Sequence, residues 1–259
     1  MMMLESKGIH KDFGGVKALS DVHLSVPDDV IMGLIGPNGA GKTTFFNVIS
    51  GILQASAGDF YFRGKKLTGK RPYYITRTGI ARTFQNIQLF TGMTVFENIV
   101  AGRHIRTRAG LVRGILGGGL VLREERENRE KVDELLDFVQ IASERDLPAE
   151  SLPYGKQRHV EIARALAVEP ELLLLDEPSA GMNPKETEDL MELIRAIRKR
   201  GVTVLLIEHD MNLIMGICDR IAVLDYGKKI SEGTPDEIRN DEKVIEAYLG
   251  REEEYADLG

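Results

Sequence analysis

The run Gly36-Pro37-Asn38-Gly39-Ala40-Gly41-Lys42-Thr43 has the spacing G-x-x-x-x-G-K-[ST], with Thr44 directly after it. Glycines at these positions let the backbone curl until successive N–H groups point inward, a cradle for phosphate oxygens. Lys42 would place a mobile ammonium on the outer phosphates of a nucleotide, and the Thr43 hydroxyl could ligate Mg2+. Such a loop needs a strand before it and a helix after it, because the helix N-terminus presents positive charge to the same anion. The flanks supply both. Val30 to Ile35 is continuously apolar, as strands buried on both faces are. In "TTFFNVISGIL", Phe45, Val48, Ile49 and Ile52 recur at helical spacing. A Gly-rich turn that matches by accident is the bland alternative, at roughly one per cent of chains this long from residue frequencies alone.

Two further stretches end apolar strands in groups that suit phosphate chemistry. "LLLLDEPSAGMNP" delivers Asp176 and Glu177 to a strand end, where both carboxylates can reach the crevice in which α/β ligands bind. Asp176 would hold the magnesium shell, and Glu177 would be the general base for water attacking a γ-phosphorus. A solvated acidic strand end is the alternative. "VLLIEHD" delivers His209 to the same edge. A lone histidine is more often structural, whereas beside a magnesium-nucleotide site a neutral imidazole could touch the γ-phosphate.

The elements that would position these groups follow from the patterning. Val22, Leu24 and Val26 alternate as in a strand ended by "PDD", and "GDFYFRGK" reads as a short edge strand and turn. Val132, Leu135, Leu136 and Val139 share one helical face. "VEIARALAVEP" predicts a helix leading to the strand "LLLL". Helix 184–200 has Asn183 as N-cap, Pro184 in its first turn, the stripe Leu190, Leu193, Ile194 and Ile197, and Gly201 as its stop. "VTVLLI" is a strand, and "IAVLDYGKKISEG" predicts a hairpin turning at Tyr226-Gly227. Alternating strands and helices imply a parallel sheet covered on both faces. The expected architecture is one α/β domain over 1–259, with core 1–88 and 159–259 and a mostly helical insertion over about 89–158. Between Arg103 and Arg123 the chain is rich in Gly and Arg. Arg103, Arg106, Arg108, Arg113 and Arg123 could suit a membrane surface, although a solvated mobile loop is the favoured reading.

Composition narrows the class. The 259 residues are 42% hydrophobic, ample for a core, and carry 34 basic against 40 acidic side chains, net −6. That balance argues against a partner held by phosphate neutralisation along a nucleic acid. No apolar run approaches the ~18 residues that span a bilayer. Residues 1–15 lack the apolar core of a signal peptide. The lone Cys218 suits a reducing compartment. These features together predict a cytoplasmic protein.

"GPNGAGKTT", "RTFQN", "LPYGKQRHVEIARAL", "LLLLDEPSAGMNP" and "LLIEHD" occur in the order and spacing of the ATP-binding-cassette (ABC) ATPases, and the resemblance covers essentially the whole chain. It implies the P-loop NTPase fold of that family, with a mostly parallel core sheet, an antiparallel β subdomain and an inserted α-helical subdomain. It also implies ATP and Mg2+ as cofactors. By the same likeness Phe13 stacks on adenine, Gln85 contacts magnesium and the attacking water, Glu177 is the catalytic glutamate and His209 the switch histidine. Leu152, Pro153, Tyr154, Gly155, Lys156 and Gln157 stand at the signature, which in this family closes over the ATP of a second cassette. Pro153 replaces the usual serine and brings neither hydroxyl nor N–H. Ser179, Ala180, Gly181, Met182 and Asn183 form the D-loop, with Asn183 where Asp is usual. A complete site then needs a partner cassette, identical or paralogous. Integral membrane permeases and, indirectly, a solute-binding protein complete the set of expected partners, with the cassette at the cytoplasmic face of the membrane.

"GIARTFQNIQLFTGMTVFENI", the Gly/Arg insertion, "EPSAGMNPKET", "IEHDMNLIMGICDRI" and "GTPDEIRNDEKVIEAYLG" resemble the larger cassette of branched-chain amino acid importers. Urea or amide importer cassettes look very similar. A lipid or lipopolysaccharide export cassette fits the C-terminus less well. A soluble non-transport ABC protein would usually bring tandem cassettes or long coiled-coil insertions.

Overall fold

The computed structural model describes residues 2–103 and 118–256. Its contacts divide the chain into two compact units, Met1–Ile75 with Leu174–Gly259, and Thr76–Leu173.

The first unit holds an antiparallel sheet in the order β2-β1-β4-β5. Its strands are β1 (Met2–Phe13), β2 (Val16–Pro27), β4 (Ala57–Phe62) and β5 (Lys65–Lys66). Val22, Leu24 and Val26 are buried as their alternation requires. One expectation is corrected: β4 is an interior strand with Phe60 and Phe62 buried, and the two-lysine β5 forms the edge. Exposed lysines are what an edge strand tolerates.

The second sheet runs β10-β9-β3-β8-β7-β6. In the first unit β3 (Ile31–Ile35) pairs parallel with β8 (Thr203–Ile207) and with β9 (Arg220–Asp225), and β10 (Lys228–Gly233) returns antiparallel on β9. Every residue of β3, of β8 and of β7 (Leu172–Asp176) is buried, which accounts for the apolar runs Leu172–Leu175 and Val204–Ile207 and for the apolar β3. Tyr226 and Gly227 make the β9–β10 turn with φ of 42° and 75°, as a two-residue hairpin demands.

Helix α1 (Lys42–Ile49) follows β3. It is shorter than its apolar spacing predicts: Gly51 turns to φ 75° and Ile52 lies outside the helix, exposed. A side chain at 51 would meet Lys70 O at 2.6 Å, so the chain must leave the helix there on a glycine. α2 is Pro72–Arg77. Beyond the second unit the remaining helices are α6 (Pro184–Lys199), α7 (Met211–Ile217), α8 (Pro235–Arg239) and α9 (Glu242–Ala256). Helix α6 starts on a complete capping box. Asn183 Oδ1 accepts from the amides of Lys185 at 3.0 Å and Glu186 at 3.1 Å, and Glu186 accepts from the Asn183 amide at 2.9 Å. Leu190, Leu193, Ile194 and Ile197 are its buried stripe, each contributing about 1.5–3 kcal/mol by leaving water.

The second unit contains β6 (Ile80–Arg82), which neighbours β7 and whose approach is fixed by Gly79 O accepting from Glu171 and Leu172 amides. It also holds α3 (Val95–Arg103), α4 (Gly118–Phe138), short 3-10 turns at Ala142–Glu144 and Ala149–Ser151, and α5 (Tyr154–Leu166). It contains the whole of 89–158 and extends further at both ends. Val132, Leu136 and Val139 are buried. Gly102 lets α3 approach α5, since a Cβ there would lie 2.4 Å from Arg164 O. Arg103 does not share the solvated-loop character expected of the Gly/Arg stretch. Its guanidinium reaches Asn128 Oδ1 at 3.0 Å, Ala167 O at 3.1 Å and Glu169 Oε1 at 2.7 Å. Arg106, Arg108 and Arg113, and the side chain of Arg123, lie outside the described residues.

Candidate nucleotide site

The loop 36–41 leaves the C-terminal end of β3 and enters α1 with three residues at positive φ: Gly36 at 146°, Gly39 at 76° and Gly41 at 101°. Space as well as torsion demands glycine at two of them. A Cβ on Gly36 would stand 2.0 Å from Leu224 O, and one on Gly41 2.6 Å from Ala18 O. The β9–β10 turn braces the loop from outside, with the Gly227 amide donating to Ala40 O at 3.0 Å. Pro37 and Ala40 are buried while Asn38 and Gly39 are exposed. Lys42 is buried and donates to Gly36 O at 2.7 Å and Pro37 O at 3.0 Å, so its ammonium lies within the curl of the loop. Thr43 is exposed and Thr44 half-buried on the first turn of α1.

The strand order brings three chain ends to one edge: the loop after β3, His209 after β8, and Asp176 with Glu177 at β7. Asp176 is buried. Glu177 breaks the alternation of the strand because it takes φ 46°, a left-handed conformation rare for a residue with a side chain. Its amide donates to Ile207 O at 2.9 Å. His209 Nε2 donates to Glu177 Oε1 at 2.8 Å. The histidine is exposed and the carboxylate largely shielded, so the contact fixes the orientation of a partly desolvated carboxylate.

The segment Ser179–Asn183 continues from Glu177. Met182 N donates to Ser179 O at 3.0 Å, Gly181 adopts φ 79°, and Asn183 opens α6. Phe13 ends β1 with its ring 45% exposed and the Lys11 ammonium 4.8 Å from its centroid. An aromatic face left open at a hairpin tip is suited to stacking on a planar base.

The second unit carries Gln85, which is exposed just beyond β6, and the 152–157 segment. Leu152 is buried, Pro153 is the N-cap residue of α5, and Tyr154 is exposed on its first turn. Proline gives that helix no side-chain cap. Gln157 Nε2 donates to Leu152 O at 2.8 Å. Lys156 pairs with Glu144, and that ammonium holds the Glu144 carboxyl below its ordinary range.

Four residues important to this geometry escaped the sequence reading. Glu208 is buried and accepts from Ser179 N at 2.7 Å and from His209 N at 2.9 Å, tying the segment after β7 to the segment after β8. The signal for it was an acid directly after an apolar strand. Tyr248 of α9 is raised by burial, and its phenol oxygen is also met by the Gly36 amide, which works in the opposite direction. Arg158 and Glu161 lie inside the second unit, where burial pushes the Glu161 carboxyl up against the opposing pull of Arg158. Nothing local in sequence marks these last three.

Comparison with known proteins agrees with this layout. Residues 19–180 match the ABC transporter family, and residues 228–254 match the branched-chain amino acid ATP-binding cassette transporter family. The high-affinity branched-chain amino acid transport ATP-binding protein LivG of Escherichia coli K12 is 43% identical over 249 residues, 96% of this chain and 98% of LivG. Among solved structures, the ADP conformation of an ATP-binding cassette of an ABC transporter superposes with a TM-score of 0.85. It is 35% identical and covers 96% of this chain and 99% of its own. A dimeric ATP-binding cassette in a post-hydrolysis state with ADP and Pi gives a TM-score of 0.76 at 26% identity, covering 90% of this chain and 99% of its own. The chain is therefore a member of the ABC transporter family, in its branched-chain amino acid transport ATP-binding group.

Proposed function

We propose that this chain is the ATP-hydrolysing subunit of an ABC importer for branched-chain amino acids. It would act as a pair of cassettes beneath membrane permeases at the cytoplasmic face. The observation that carries the reading is the phosphate loop, Asp176, Glu177 and His209 gathered at one sheet edge, in a chain whose 228–254 segment matches the branched-chain group. No helix among the described residues is long and apolar enough to cross a membrane, so spans would come from partner subunits.

In this reading the amides of 38–43 and the α1 N-terminus bind the β- and γ-phosphates, and Lys42 turns its ammonium from the loop carbonyls to the same oxygens. Phe13 stacks on the adenine. The Thr43 hydroxyl and the Asp176 carboxylate are hard oxygen donors of the number Mg2+ takes from a protein when phosphates and water fill its remaining positions. Gln85 adds an amide oxygen in the same reading. Bound Mg2+ supplies charge neutralisation on the transferring phosphoryl group. Glu177, held by His209 through Oε1, uses its other oxygen to take the proton of the attacking water. A second cassette contributes its 152–157 segment, with the Gly155 amide, the α5 N-terminus and Lys156 facing the phosphate in place of the serine hydroxyl that Pro153 lacks. Closure of the pair excludes water and strengthens each of these electrostatic terms.

Co-expression with branched-chain amino acid permeases and a solute-binding protein from the same genome, followed by reconstitution in proteoliposomes, tests this. Leucine with its binding protein should stimulate ATP hydrolysis several-fold, while urea should not. Stimulation by urea alone would reassign the solute, and hydrolysis at full rate by a strictly monomeric chain would remove the second cassette.

A further inference from the structure

Arg158 is completely buried, a costly place for a guanidinium unless its donors are used. Nη1 donates to Phe84 O at 2.7 Å and to Glu161 Oε2 at 2.6 Å. Nη2 donates to Gln85 O at 2.9 Å and more distantly to the Tyr154 hydroxyl at 3.4 Å, while Nε finds no acceptor. The other oxygen of the same carboxylate, Glu161 Oε1, accepts from the Phe84 amide at 3.1 Å. Residues 158 and 161, one turn apart on α5, thus grip three backbone atoms of Phe84 and Gln85, more than seventy positions away in sequence.

Packing alone does not explain this. Phe84 is half-buried and Gln85 exposed, so water could serve part of this backbone, and an apolar pair at 158 and 161 would fill the same volume without desolvating two charges. A planar guanidinium is the side chain able to span two adjacent carbonyls and still meet a carboxylate. Helix α5 begins at Tyr154, inside the 152–157 segment. We propose that Arg158 and Glu161 are positioning residues that lock the backbone of Gln85 to the helix carrying that segment, so that the two move as one body during the ATP cycle. The functional half of this rests on the roles given above to Gln85 and to 152–157, whereas the grip itself does not.

The test uses the full chain as wild type, as Arg158→Lys, and as Arg158→Met with Glu161→Met, which removes both charges together. Amide hydrogen exchange over residues 83–86 should quicken about tenfold or more in the double variant, which removes the Glu161 acceptor of the Phe84 amide, and also in Arg158→Lys, where the Phe84 and Gln85 carbonyls lose the fork and the segment opens more readily. kcat for ATP should fall about 10–100-fold, as misplacement of a distant support does, with KM shifted less than about threefold. A purely structural role would instead lower thermal stability and active fraction with kcat per folded molecule unchanged. Should the double variant fail to fold, Arg158→Lys, which keeps the charge and loses the fork, decides alone. Unchanged exchange overturns the grip. Faster exchange with kcat retained, or a rise confined to KM, overturns the positioning role. Absence of hydrolysis in the wild-type chain would count against the proposed function, and exchange would still score the grip.

Discussion

Substituting Gly36 tests the loop geometry most directly, because Gly201 provides a control that also holds positive φ but has no atom in the way of a side chain. Both residues hold positive φ, 146° and 83°. Alanine near the left-handed well, as at Gly201, costs about 1–2 kcal/mol through crowding of Cβ against the carbonyl, and at the wider φ of Gly36 it costs at least about as much. At Gly201 an added Cβ meets nothing within 4 Å, whereas at Gly36 it would stand 2.0 Å from Leu224 O and 3.0 Å from Leu224 C. That oxygen belongs to a fully buried residue of β9, between β3 and β10, so it cannot swing aside as a side-chain tip would. Overpacking of this kind adds about 1–3 kcal/mol. Gly36→Ala should therefore lose about 2–5 kcal/mol in urea denaturation and Gly201→Ala about 1–2 kcal/mol. At roughly 2–4 °C per kcal/mol for a chain of this size, the Tm falls by about 4–20 °C and 2–8 °C respectively.

Function separates the two further. The strain at Gly36 moves the amides that follow it, and one lost hydrogen bond to a charged phosphate is worth about 1.5–3 kcal/mol. Mg-ADP titration should thus show affinity reduced at least about tenfold for Gly36→Ala and unchanged for Gly201→Ala. If the two variants match in both stability and affinity, the close approach to Leu224 does not govern the loop and the reasoning fails.

Three other perturbations follow from the same geometry. Glu177→Gln keeps the shape of the His209 partner but cannot take a proton, so it should bind ATP and hydrolyse it at least about 100-fold more slowly in a steady-state assay; near-normal turnover would remove Glu177 from its role. Asn183→Ala loses both amide contacts of the α6 cap and should cost about 1 kcal/mol in urea denaturation, whereas Asn183→Asp should be close to neutral. Burial pushes the Cys218 thiol well above its ordinary range, so the folded chain should resist iodoacetamide at about pH 8 and be alkylated promptly in denaturant; rapid labelling of the native chain would contradict that burial.

The features legible in the sequence are those set by one residue's own chemistry or by a short repeat. Glycines at 36, 39 and 41 announce positive φ because other residues pay for it, Asn183 announces a cap because its oxygen reaches the next amides, and Tyr226-Gly227 announces a turn. Continuous leucines before Asp176 announce a strand buried on both faces. Patterns that depend on a neighbour in space were read less well. "GDFYFRGK" gives no sign that β4 is interior, because its outer partner is only Lys65-Lys66 and nothing about two lysines suggests pairing. Ile52 continues an apolar spacing that the backbone abandons at Gly51, for a reason supplied by Lys70 O.

Three of the four residues missed altogether have a common physical character. Glu208, Arg158 and Glu161 are charged, and charge on a strand end or helix reads by default as solvent exposure. Each is buried because its polar atoms are used by backbone groups distant in sequence: Ser179 for Glu208, Phe84 and Gln85 for the pair on α5. Backbone groups have no residue-type signature, so no spacing rule could have pointed to them. Charged side chains that spend their hydrogen bonds on main chain near a reactive group fix where that group can go, and they leave the reacting residues themselves unaltered. In this chain the groups proposed to do chemistry were therefore open to sequence reasoning, while several of the side chains that tie down the main chain beside them were visible only once that main chain had been placed.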